Sequence, residues 1–135
     1  MRAVFDANVF VSALLSATGT PATLMKRWLA GEFELIVSAA LLTEIQRVCK
    51  YPKLQERITT SDVTDLIDML ETNAKYVKDP LPTEKTNLSR DLNDNYLIAL
   101  AYTQTAYLVS GDGDLLVLAP HIPVISPREF LATLP

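Results

Sequence analysis

The chain has 135 residues, 49% of them hydrophobic, and carries 16 Asp and Glu against 12 Lys and Arg for a net charge of -4. This length and apolar fraction fit one compact domain with its own core, and a single cysteine, Cys49, with a single histidine, His121, excludes a disulfide framework and zinc-finger spacing. An acidic balance also speaks, at first sight, against a nucleic-acid partner.

The opening run, Arg2 to Val11, is rich in Val and Phe and predicts a strand buried on both faces, as in a parallel sheet, with Asp6 planted in it. An ionised carboxylate there is expensive unless something cationic or hydrogen-bonding meets it. Asp6 also breaks the faint likeness of Val9 to Ala17 to a signal peptide, and the run is too short to span a bilayer, so a soluble cytoplasmic protein is expected. Ser12 to Ser16 begins a helix or turn. Thr20 as N-cap with Pro21 at the first helical position starts a helix that Gly31 stops. Phe33 to Val37 reads as a second strand, followed by a helix capped by Ser38 and running to about Lys50.

Pro52 to Ile58 and Ser61 to Ala74 predict a short and a longer helix, and Lys75 to Val77 a third strand. The polar stretch from Thr83 to Arg90 has no period. A helix from Asp91 to about Thr103, a strand from Ala106 to Ser110, a tight loop at Gly111 to Asp114, a short helix at Leu115 to Leu118 and a strand from Ile122 to Ile125 follow. Ser126-Pro127-Arg128-Glu129 is a capping box that opens a terminal helix. Strands alternating with helices predict a single three-layer α/β/α sandwich with a mainly parallel sheet.

In such a sheet, sites form at the carboxyl ends of strands. Asp6, Asp112 and Asp114 fall at strand ends, and Asp91 and Asp94 open a helix, where capping is their alternative explanation. Glu44 lies beside the apolar stripe of Leu41, Ile45 and Val48, at the border of that stripe, from which it either reaches solvent or joins the other acids. Clustered carboxylates without histidine suit a hard cation, Mg²⁺ or Mn²⁺, one ion or two, and point to metal-assisted phosphodiester hydrolysis. Setting these six acids aside leaves ten against twelve Lys and Arg, so the rest of the surface is mildly basic, with Arg47, Lys50, Lys53 and Arg57 close together in sequence.

Taken in order, Phe5-Asp6-Ala7-Asn8-Val9-Phe10, the Glu44 helix, Arg90-Asp91-Leu92-Asn93-Asp94-Asn95-Tyr96-Leu97 and Leu108-Val109-Ser110-Gly111-Asp112-Gly113-Asp114 resemble the motifs of PIN-domain ribonucleases, in particular VapC-like toxins of toxin-antitoxin systems. Pro127-Arg128-Glu129-Phe130-Leu131 is similar to the close of one subgroup. The resemblance implies an Mg²⁺- or Mn²⁺-dependent endoribonuclease with Asp6, Glu44, Asp94 and Asp112 as an acidic quartet and Asp91 and Asp114 as auxiliary ligands. Asn8 and Ser110 would hold carboxylates or phosphate oxygens, the alternatives being a helix cap and a turn hydroxyl. Asn93 and Gly113 depart from the subgroup's pattern. An antitoxin that covers the site and a homodimer are implied in the same way.

Two other classes compete. A phosphatase or phosphotransfer domain with Asp6 as nucleophile would want a second aspartate where Asn8 stands, or a lysine after a late strand, and no lysine follows Lys85. A non-catalytic PIN-like domain that binds metal or protein, or an RNA-processing nuclease without an antitoxin, would share the same acids.

Overall fold

A computed structural model of the chain describes residues 1–81, 83, 86, 94–119 and 121–135. Five parallel strands, β1 (Arg2–Phe5), β2 (Glu34–Val37), β3 (Lys75–Tyr76), β4 (Tyr107–Val109) and β5 (Val124–Ile125), form a sheet in the order β3-β2-β1-β4-β5. The helices are α1 (Ala7–Leu15), α2 (Thr20–Leu29), α3 (Ala39–Cys49), α4 (Pro52–Gln55), α5 (Thr60–Asn73), α6 (Asn95–Gln104), α7 (Gly113–Leu116) and α8 (Pro127–Thr133). The chain steps outward from β1 to β3 and then returns to β4 through α6. Because parallel crossovers are right-handed, the two directions place helices on opposite faces of the sheet. The first face packs α1 against α2 and α3, and α6 lies against β1 and β4. Five parallel strands between helical layers make this the three-layer α/β/α sandwich that the sequence predicts.

The middle of the sheet is fully apolar, as a strand covered on both faces requires: Ala3, Val4 and Phe5 of β1, Leu35 to Val37 of β2, and Leu108 and Val109 of β4 are all buried. Phe5 meets the rings of Phe10, Phe33 and Phe130 at centroid separations of 5.5, 5.9 and 6.3 Å. Phe130 comes from α8 and also stands edge-on to Phe33 at 5.1 Å, so the terminal helix closes the core of the central strand.

Several expectations need correction. The predicted strand over Arg2 to Val11 ends at Phe5, and a helix begins at Ala7. The backbone of Asp6 is extended and its side chain accepts from the Val9 N–H at 3.0 Å, so the carboxylate is the N-cap of α1 and terminates the strand. An apolar run carries no period that marks such a boundary. Asn8, considered as that cap, sits instead in the first turn, exposed. Thr20 is the first residue of α2 and its N-cap is Gly19. The helix from Pro52 stops at Gln55, short of Ile58. The helix after Gly111 starts at Gly113 because Asp112, extended like Asp6, caps it. Thr59, with Asp62, forms the capping box of α5. At α8, Ser126 accepts from the Glu129 N–H as expected, and its hydroxyl donates to the Glu129 carboxylate. Asp91 and Asn93, together with most of the polar stretch before them, lie outside the described residues.

Candidate active site

The pairing of β1 with β4 sets Phe5 beside Val109, so the residues that follow each strand emerge together at one edge of the sheet. Asp6 continues the ladder by donating its N–H to the Val109 carbonyl at 3.1 Å. Its side chain is 5% exposed. The buried hydroxyl of Ser110 donates to Asp6 Oδ2 in a short contact and accepts from the Asp112 N–H at 3.0 Å. One serine thus ties the aspartate after β1 to the turn after β4. Ser110 is both the turn hydroxyl and the group that orients Asp6. Burial raises the Asp6 pKa above its ordinary value, hydrogen bonds from Ser110 and the Val9 and Asn8 N–H groups oppose the shift, and the charge of Asp112 adds to it.

Asp6, Asn8, Ser12, Gly111 and Asp112 line one cleft of about 360 Å³. Asp112 is half-buried, with Oδ1 accepting from the Asp114 N–H at 2.9 Å. Asp114 is exposed and its carboxylate lines neither this cleft nor the next. Among the described residues, no Lys or Arg pairs with Asp6 or Asp112.

Glu44 lines a second cleft of about 480 Å³ with Ala40, Thr43, Arg47 and Tyr96. Its position beside the buried stripe of α3 leaves it half-buried, and Arg47 holds both of its oxygens, Nε to Oε2 at 3.2 Å and Nη2 to Oε1 more closely. The same guanidinium donates to the Tyr51 hydroxyl at 2.7 Å and lies over that ring. Asp94 sits half-buried at the start of α6, and its side chain makes no cap hydrogen bond to that helix.

Tyr96 lines the second cleft, beside Glu44 and Arg47. Its hydroxyl is buried without a hydrogen-bond partner among the described residues. Burial first, then the negative charges of Glu44, Asp6, Asp94 and Asp79, push its pKa well up. The negative charges of four carboxylates from four different parts of the chain are therefore felt at one phenol. Two of these groups, Tyr96 and Asp79, escaped the sequence reading. Asp79 in fact reaches the first turn of α3, where Oδ2 accepts from the Ala40 N–H at 2.9 Å, while Oδ1 is buried and unpartnered among the described residues. Only the i, i+3 spacing of Glu44 and Arg47 was a local signal for their pair.

No three of the described acids converge on one ligating point. Mutual repulsion keeps such carboxylates apart, and Arg47 neutralises Glu44. The donor chemistry nevertheless fits a hard divalent cation: all the ligands are oxygens, Asp6 and Asp112 raise each other's local negative potential, and Cys49 and His121 line other clefts. A cation drawing on Glu44 must compete with Arg47. Arg47→Ala is accordingly expected to tighten Mn²⁺ binding by about two- to fivefold, the range for releasing an exposed ion pair, as read by isothermal titration calorimetry. Weaker or unchanged binding would show that Arg47 does not compete. Ser110→Ala removes the hydroxyl that orients Asp6 and is expected to weaken Mn²⁺ binding by about 10- to 100-fold.

The chain matches the model of the PIN domain over residues 2–114. It is 27% identical over 142 residues to the uncharacterized protein MJ1680 of Methanocaldococcus jannaschii, covering 97% of this chain and 90% of that one. Among solved structures it is similar in fold to PAE2754 from Pyrobaculum aerophilum, with a TM-score of 0.69, 14% identity and coverage of 98% of this chain and 93% of that one. It is also similar to VapBC2 from Rickettsia felis bound to a promoter DNA fragment, with a TM-score of 0.63, 16% identity and coverage of 93% and 98%. PIN domains are nucleases that generally use divalent metal ions. With the motif order, the sheet and the family match in agreement, this chain belongs to the PIN domain family.

Proposed function

We propose that this protein is an Mg²⁺- or Mn²⁺-dependent endoribonuclease and the toxin of a toxin-antitoxin pair, acting in the cytoplasm. The observation that carries the reading is the buried Asp6, held by Ser110 beside Asp112, in a chain of the PIN family. Asp6, Glu44, Asp94 and Asp112 would hold the ion, with Asp91 and Asp114 as auxiliary ligands. Such an ion lowers the pKa of bound water and offsets charge on the phosphoryl oxygens.

The chain's own groups do the positioning. Ser110 and the Val9 N–H fix the two oxygens of Asp6, so its remaining lone pairs are set in direction before anything binds. Asn8, exposed at the mouth of the same cleft, can donate its side-chain amide to a phosphate oxygen. The buried Tyr96 hydroxyl lies among the acids and supplies a donor to whichever carboxylate turns toward it. The likeness in fold to VapBC2 supports a cognate antitoxin as partner, and a homodimer is proposed from the motif resemblance alone.

The Arg47–Glu44 pair favours a second reading, in which a PIN-like domain keeps the acids for metal or protein binding without turnover. Cleavage of a structured RNA mixture with Mn²⁺ or Mg²⁺, with EDTA and Asp6→Asn as controls, separates the two. Metal-dependent cleavage lost in the variant supports the nuclease. Metal binding without cleavage by the wild-type protein supports the second reading.

A further inference from the structure

We infer that a groove between α3, α4 and the start of α5 binds the sugar-phosphate backbone of the RNA strand beside the bond to be cut, an inference that rests on the nuclease reading. The groove has a volume of about 440 Å³. Its walls carry Arg47, Lys50, Gln55 and the hydroxyls of Thr43, Thr60 and Thr64, over a buried Ile58.

Three observations point to a polyanion. The protein has a net charge of -4, and α5 bears Asp62, Asp65, Asp68 and Glu71. Yet no carboxylate among the described residues lines this groove, whereas Lys50 does, together with Arg47, whose guanidinium is already paired with Glu44. The acids of α5 lie outside the lining, while Thr60 and Thr64 lie within it.

Secondly, the exposed groups are donors of the kind that contact phosphate and sugar: a guanidinium, an ammonium, hydroxyls and a carboxamide. Thirdly, the groove is continuous with the catalytic cleft, because Thr43 and Arg47 line both. Glu44 and Lys50 are separated by about 9 Å along the axis of α3 at the helical rise. A strand with its reacting phosphate near Glu44 therefore runs its next phosphates past Lys50. The basic group noticed in the sequence divides accordingly: Arg47 and Lys50 belong to the groove, while Lys53 and Arg57 do not line it.

The test uses the full chain carrying Asp6→Asn, which blocks turnover, and a fluorescent single-stranded RNA of random sequence, about 16 nucleotides long, titrated by anisotropy at several salt concentrations. Adding Lys50→Gln is expected to weaken binding about fivefold and to reduce the slope of log K against log salt by about 0.7, one phosphate contact. Thr64→Glu, which places a like charge in the groove, weakens binding further. Lys26→Gln, on α2 and outside the groove, leaves affinity and slope unchanged. Unchanged binding in both groove variants, or no RNA binding by the Asp6→Asn protein, overturns the inference. Wild-type cleavage measured alongside keeps the two readings apart. Cleavage with no groove effect removes the groove alone, and groove-dependent binding without cleavage removes the nuclease alone.

Discussion

Asp6→Asn is expected to abolish metal-dependent RNA cleavage and, at the same time, to raise the melting temperature of the metal-free protein by a few degrees. The loss of activity should exceed about 100-fold, the upper range for groups that merely orient a metal ligand. The gain in stability follows from burial. In the folded protein Asp6 holds its proton more tightly than in the unfolded chain, because the apolar surroundings and Asp112 disfavour its charge. Its folded pKa lies above the ordinary 3.8, so stability falls as pH rises through the window between the two values. Asparagine carries no charge to bury. It remains a good N-cap for Val9, and its amide can donate to Ser110 Oγ. The stabilisation should be present at neutral pH and vanish below pH 3.8, where the carboxyl is protonated in both states. Melting curves of both proteins in EDTA across pH check this. A variant less stable than wild type at neutral pH would mean that the hydrogen bonds to Asp6 outweigh its desolvation.

Phe130→Ala is expected to cost about 3–5 kcal/mol of stability and roughly 10 °C or more in melting temperature. Phe130 is fully buried and touches Phe5, Phe33 and Tyr107, which belong to or flank three strands. It also lies beyond residues 2–114, the span of the family match. The helix that carries it is part of the core all the same. Denaturation with urea gives the number directly, and a loss below about 1 kcal/mol would mean that the aromatic cluster closes the cavity by collapse.

The alternation of strands and helices, the Ser38 cap and the terminal Ser126 cap were legible because each rests on a local rule that holds here. So was the placing of Asp6 and Asp112 at neighbouring strand ends, since a parallel sheet leaves few other arrangements. The boundary at Asp6 was not legible: Val and Phe suit a buried strand and a buried helix equally, and the turn between them is decided by a hydrogen bond to Val9 and a ladder bond to Val109. Neither Ser110 holding Asp6 nor Asp79 reaching Ala40 leaves a local trace, because the partners are 104 and 39 residues apart. Tyr96 was hidden for another reason. Its hydroxyl is unusual only for what surrounds it.

The central strand has a consequence for the order of events in synthesis. β1 is made first, yet one of its two neighbours is β4, and Ala3 meets Tyr107 only after most of the chain exists. Pairing so distant in sequence is slow to form and late in folding. Until Ser110 has left the ribosome, only the Val9 N–H holds the Asp6 carboxylate, and Asp112 has yet to stand beside it. The candidate site is therefore assembled only late in translation, after most of the chain has been made.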